Sequence, residues 1–187
     1  MRVVSLHAHS LDGMYSDVLE AGRVTGVLAR ARRLVASLQR RVVRVTRRAA
    51  RAKSRPRVFC MEWYDPVFTT GHWVPELVRR AGGVDGLATA GDSRRIEWGE
   101  VVRYAPERLI LMPCGLGVDR AVRDARALSE RPGWRSVPAV RTREVYVVDG
   151  PSYFNGSGPR LVEGLEILAG IIHPELFERR RAVRIRV

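Results

Sequence analysis

From Val27 to Lys53 the chain contains no glycine or proline, and apolar residues recur at Leu28, Ala31, Leu34, Val35, Leu38, Val42, Val45 and Ala49. Spacings of three and four place these positions on one stripe, which predicts a single amphipathic helix. At 1.5 Å per residue this helix is about 40 Å long. That is too long for an ordinary crossover in a small sheet and suits an element spanning two structural units. Ser54 and Pro56 end it.

Beyond Pro56 the pattern becomes short apolar runs alternating with helical segments. Val58–Trp63, Leu109–Met112 and Val145–Val148 read as strands, the last two as strands buried on both faces. His72–Ala81, closed by Gly82 and Gly83, reads as a helix, as do Glu97–Tyr104, Val118–Glu130 and Pro159–Ile172. Strands alternating with helices imply an α/β unit with a mainly parallel sheet covered on both faces, a three-layer, Rossmann-like lobe. Before the long helix, Val3–Leu6 reads as one buried strand, and Ser10 and Asp12 are candidate caps for a short helix near Met14–Ala21. The tail from Glu178 carries five arginines and reads as frayed.

Charge refines this division. The net charge is +13, yet 13 of the 33 basic residues fall between Ala21 and Met61, a segment with no acidic residue. The remainder balances, so the excess belongs to the long helix and its flanks. A basic helix face admits a nucleic-acid or anionic-surface binder as an alternative function. The arginines lack interleaved aromatics and no nucleic-acid motif accompanies them, so a solvated face is the simpler reading. No apolar run approaches the roughly 20 residues of a membrane span. The N-terminus, MRVVSLHAHSLDG, has no continuous apolar stretch or cleavage site of an export signal. The expectation is a cytoplasmic chain as written, or one whose natural beginning is missing. Cys60 and Cys114 form neither a disulfide framework nor a metal-ligand spacing and read as buried or half-buried thiols.

Ligands of open parallel sheets bind outside the carboxyl ends of the strands. Three segments follow the predicted strands: Glu62 to Trp73, Pro113 to Gly117 and Asp149 to Gly156. Trp63, Tyr64, Trp73, Tyr153 and Phe154 make two of these loops aromatic, and all three carry glycine, a composition for an apolar wall against a large flat ligand. Trp98 and Trp134 lie outside the loops and read as packing residues. His72, at a helix start, reads as a cap or hydrogen-bonding residue. His7 and His9 form an HxH pair whose side chains share a side if the segment is extended, but no third ligand is evident and no metal site is assigned. His173 reads as a helix C-terminal cap. There is no GxSxG, HExxH or P-loop, and Cys114 has no histidine near it in sequence, so an enzyme is not expected.

The segments RVFCMEWYDPVFTTGHWVPELVRRAGG, LILMPCG, RPGWRSVPAVRTREVYVVDG and YFNGSGPRLVEGLEILAGIIHPE, taken in order, resemble the C-terminal lobe of the cobalamin-binding subgroup of helical-backbone periplasmic binding proteins. VVSLHAHSLDGMYSDVLEAGRVTG and the long helix resemble the end of the first lobe and the helix that joins the lobes. The resemblance covers nearly the whole chain. It implies residues 1–26 as a remnant of a first α/β lobe, 27–54 as the lobe-spanning helix, 55–176 as the ligand-binding lobe and 177–187 as an Arg-rich tail. It further implies a substrate-binding component of an ABC-type importer. Its ligand is expected to be cobalamin or a related corrinoid, with haem or a ferric siderophore as alternatives, held between lobes as cargo rather than as a bound cofactor. The implied partners are a membrane permease and its ATPase, and the implied location is periplasmic or cell-surface. By position, Trp63, His72 and Trp73 face the cleft from the first loop, Cys114 and Gly115 from the second, and Tyr153, Phe154 and Asn155 from the third. Glu76 is the candidate for docking to permease arginines. The resemblance implies that only the last strand and helix of the first lobe are represented in this sequence. The resemblance therefore also leaves room for a truncated or inactive fragment, or for self-association through the face the first lobe would cover.

Overall fold

The computed structural model describes residues 3–89 and 91–186. The first helix, α1 (Leu11–Val24), is capped by Ser10, whose Oγ accepts from the Gly13 backbone N–H at 3.0 Å. After a tight turn comes α2 (Leu28–Ala49), about 33 Å long at 1.5 Å per residue. Its buried stripe is Ala31, Val35, Leu38, Val42, Val45 and Ala49, so the predicted amphipathic helix is present, shorter by a few residues at its C-terminal end. Leu34 lies off the stripe and is exposed.

The remaining elements are β1 (Val58–Trp63), β2 (Phe68–Thr69), α3 (Val74–Arg80), α4 (Trp98–Tyr104), β3 (Arg108–Leu111) and α5 (Val118–Asp124). They continue with α6 (Pro138–Arg141), β4 (Val145–Val148), α7 (Gly150–Tyr153), α8 (Leu161–Ile172) and β5 (Ala182–Arg184). The five strands form one sheet in the order β2-β1-β3-β4-β5. The three inner strands are parallel, with Cys60 beside Ile110 and Ile110 beside Tyr146, and both edge strands run antiparallel. The α/β class and the mainly parallel sheet are therefore as expected.

Alternation along the inner strands divides the core. Val58, Cys60, Ile110, Met112, Tyr146 and Val148 face α1, α2, α3 and α8 in one apolar cluster. Phe59, Met61, Leu109, Leu111, Val145 and Val147 face α4, α5 and α6 in the other. Trp98 and Trp134 stack in this second cluster with centroids 5.7 Å apart, the packing role expected of them. α2 lies against α1, α8 and α3, and the Arg41 guanidinium forks onto both carboxylate oxygens of Glu166 on α8 at 2.9 and 2.7 Å. Gly82, at φ +89°, ends α3 as anticipated. His173 occupies the C-cap of α8 and is buried, with Nε2 3.3 Å from the Gly82 carbonyl, which ties the ends of α3 and α8 together.

Four local expectations are corrected. Val3–Leu6 is not a strand: no strand lies beside it, and Val3 and Leu6 are exposed. An apolar run without a partner for its backbone N–H and C=O groups does not become a strand. The tail is ordered, because Ala182–Arg184 adds to β4 as an edge strand and Arg184 pairs with Glu144 at 2.6 Å. The helix predicted over Val118–Glu130 changes at Ala125 to 3-10 turns. Cys114 is exposed, whereas Cys60 is buried as expected. Among the described residues no helix is long and apolar enough to cross a membrane.

Candidate functional site

The carboxyl ends of β1, β3 and β4 carry the three loops singled out in the sequence. At the end of β1, Trp63 is 39% exposed, and its indole N–H donates to the Asp65 carbonyl at 3.0 Å. The neighbouring Tyr64 turns the other way, packing on the second core cluster and donating to the Ala121 carbonyl at 3.2 Å. Cys114, after β3, lies beside the end of β1: its backbone N–H donates to the Glu62 carbonyl, and its thiol is 3.5 Å from Glu62 Oε1. Burial first, and then the charge of Glu62, push the Cys114 thiol up from its ordinary value, and burial pushes Cys60 well up. Neither is held as a reactive thiolate. Gly115 turns the chain away at φ +71°.

The aromatics near β4 are placed differently. Trp73, Tyr153 and Phe154 are all buried in the first core cluster. The Trp73 indole N–H donates to the Phe154 carbonyl at 2.7 Å, joining the first and third loops from beneath. The Tyr153 ring lies near the Arg160 and Arg181 guanidiniums, 4.7 and 5.1 Å from its centroid. Asn155 follows with Oδ1 buried and without a hydrogen-bond partner. Of the residues singled out, Trp63 and Cys114 are exposed, whereas Trp73, Tyr153 and Phe154 are buried.

Glu76, on α3, is only 16% exposed at its side chain. Oε2 accepts from the Leu11 backbone N–H at 3.1 Å, and Oε1 pairs with Arg80 at 2.8 Å. The carboxylate thus satisfies an otherwise unpaired donor in the first turn of α1.

His72 adopts φ +53°, and its backbone N–H donates to the Gly91 carbonyl at 2.5 Å. A Cβ on the preceding Gly71 would lie 2.4 Å from both Gly91 O and Ser93 N. That close approach, open only to glycine, lays the 91–93 segment against His72. On its other side, His72 Nδ1 is 3.0 Å from His9 Nδ1, in the segment leading into α1, and His7 stacks edge-on against His9. Asp92 Oδ1 is 3.7 Å from His72 Nδ1. The roles of His9 and Asp92 are the main ones missing from the sequence reading. The HxH pair is visible there, but its partners stand 63 and 83 positions further on.

A family model for periplasmic binding proteins matches residues 2–151. The chain belongs to the periplasmic binding protein family. Its members bind substrates rather than transform them, which agrees with the lack of a catalytic constellation in the sequence. Among curated relatives, the uncharacterized ABC transporter substrate-binding lipoprotein YvrC of Bacillus subtilis (strain 168) is 27% identical over 176 residues, covering 91% of this chain and 53% of that protein. The chain thus spans about half the length of that relative. Among solved structures, a periplasmic heme binding protein from Pseudomonas aeruginosa superposes with a TM-score of 0.80 at 23% identity, over 97% of this chain and 68% of its own. A possible iron-binding (periplasmic solute-binding) protein from Staphylococcus epidermidis ATCC 12228 superposes at 0.79 with 20% identity, over 92% and 66%. At these identities the superpositions establish the shared fold.

Proposed function

We propose that this chain acts as the ligand-grasping lobe and spanning helix of an ABC importer's substrate-binding component, and that its cargo is a large flat macrocycle, cobalamin or a related corrinoid foremost. The observation that carries this reading is the convergence of the three loops at the carboxyl ends of the parallel strands. Trp63 is exposed at the end of the first strand, and the Trp73–Phe154 bond ties the first loop to the third. An exposed aromatic face on loops tied together suits a planar ligand with few polar anchors.

Haem is the competing cargo. It is favoured by the name of the P. aeruginosa structure, whereas cobalamin is favoured by the wording of the loop sequences. A permease and its ATPase are the partners this role requires. Docking through Glu76 would require its carboxylate to leave Leu11 and Arg80, so a permease arginine would have to replace Arg80.

Titration of the purified chain with cyanocobalamin and, separately, with haemin decides between these readings. Saturable one-to-one binding of cobalamin with weaker binding of haemin is expected. The reverse order replaces the corrinoid by haem, and binding of neither up to high micromolar concentration removes the ligand-grasping role from this chain.

A further inference from the structure

Three ligand atoms that the chain carries on separate elements meet on one side of α3. One ring nitrogen each of His9 and His72 and an Asp92 carboxylate oxygen all lie within 4.8 Å of one another. The two Nδ1 atoms are 3.0 Å apart, and Asp92 Oδ1 is 3.7 Å from His72 Nδ1. In a tetrahedral zinc site with bonds of about 2.0–2.1 Å, ligand atoms stand about 3.3 Å apart. The two separations at His72 therefore bracket the required spacing, and side-chain rotation of the exposed His9 and Asp92 can bring the third pair toward it. Two imidazoles and one carboxylate form a borderline N2O donor set, which suits Zn2+ and its neighbours rather than Ca2+ or Mg2+.

We propose that His9, His72 and Asp92 form a binding site for a divalent transition-metal ion of the zinc class. The fold prepares each ligand separately. Gly71 admits the 91–93 segment, and the His72 N–H to Gly91 bond holds that segment beside the imidazole. Ser10 begins α1 directly after His9, so helix capping fixes where that side chain leaves the backbone. A helix start ordinarily repels a cation. Here Glu76 accepts from the Leu11 N–H and offsets the positive end of α1.

Three protein ligands leave a fourth position. His9 and His72 line a hollow of about 570 Å³ shared with Arg55 and Arg79, through which an ion can enter and an anionic or water ligand can reach it. The ion would fasten the segment before α1 to the loops of the β1–α3 region, a link otherwise made on this side by one histidine–histidine contact and the Glu76 cap. This inference stands apart from the macrocycle reading, because its probe is the metal alone.

Calorimetric titration of the full chain with Zn2+, paired with the visible spectrum of the Co2+-loaded protein, tests the site. One ion per chain with a tetrahedral Co2+ spectrum is expected. His9→Ala and His72→Ala should each weaken binding by at least about tenfold, the lower end of the loss seen when merely outer-shell partners are removed. Asp92→Asn should weaken it as well. His9 and Asp92 are exposed, so their variants keep the fold, as circular dichroism can verify. Cys114→Ser should bind as the unmodified chain does. Absence of stoichiometric binding to the unmodified chain overturns the proposal. So does unchanged affinity in the His9→Ala/His72→Ala variant, or loss of binding in Cys114→Ser.

Discussion

The loops after β1 and β4 look alike in sequence, each presenting adjacent aromatics at a strand end, Trp63–Tyr64 and Tyr153–Phe154. The structure treats them oppositely. After β1 the chain returns as the short edge strand β2, and Trp63 keeps a face to solvent. After β4 it passes at once into α7, with Asp149 accepting from the Ser152 N–H at 2.9 Å, and then into α8. α8 comes so close that a Cβ on Gly164 would lie 2.6 Å from the Tyr153 carbonyl and 3.0 Å from the Phe154 ring. An aromatic at a strand end is thus an exposed or a core residue according to what the next element does, and not according to its residue type.

Two substitutions press on that contrast, and a third, at Asp85, tests the fold apart from it. The largest effect is expected for Phe154→Ala, which removes a ring 2% exposed from beneath α8. A loss of about 3–5 kcal/mol is expected in urea unfolding. A loss near zero would place Phe154 on the ligand side after all. Next comes Asp85→Asn, which gives a pH dependence of folding unrelated to either loop. Burial raises the Asp85 carboxyl to about 6, with the Leu87 and Ala88 N–H groups opposing the rise. A carboxyl raised in the folded state stabilises the fold while protonated. That contribution is complete below the ordinary unfolded value of about 3.9 and is lost as pH rises through about 6. Asp85→Asn should therefore gain up to about 3 kcal/mol at pH 7 and nothing below pH 4, read from unfolding midpoints across pH. A pH-independent difference would sink this account. The smallest stability effect belongs to Trp63→Ala, within about 0.5 kcal/mol as for an exposed side chain, but with weakened macrocycle binding. If Trp63→Ala destabilised as Phe154→Ala does, the distinction between the loops would collapse.

The long helix illustrates what periodicity reveals. Six of its eight periodic apolar positions are the buried stripe of α2, because a helix of 22 residues repeats its 3.6-residue period often enough to be unmistakable. The inner strands are equally legible, since β4 is a continuous apolar run buried throughout. The short elements are not. β2, α6 and α7 have two to four residues each, about one period of their pattern and too few for a repeat to show. β5 hides in an arginine-rich tail because an edge strand faces water on much of its surface.

The amino-acid sequence by itself determined the fold class, the position of the candidate loops at the strand ends and, through the wording of those loops, the family. These follow from local pattern, which each segment carries with it. Only the tertiary structure decided that Trp73, Tyr153 and Phe154 lie beneath α8 while Trp63 stays open, and that His9 and Asp92 meet at His72. Exposure and side-chain proximity depend on which distant segment packs alongside. For His72 those neighbours are 63 and 20 positions away, and chain folding brings them together through a glycine without a Cβ and a helix that begins where it is capped.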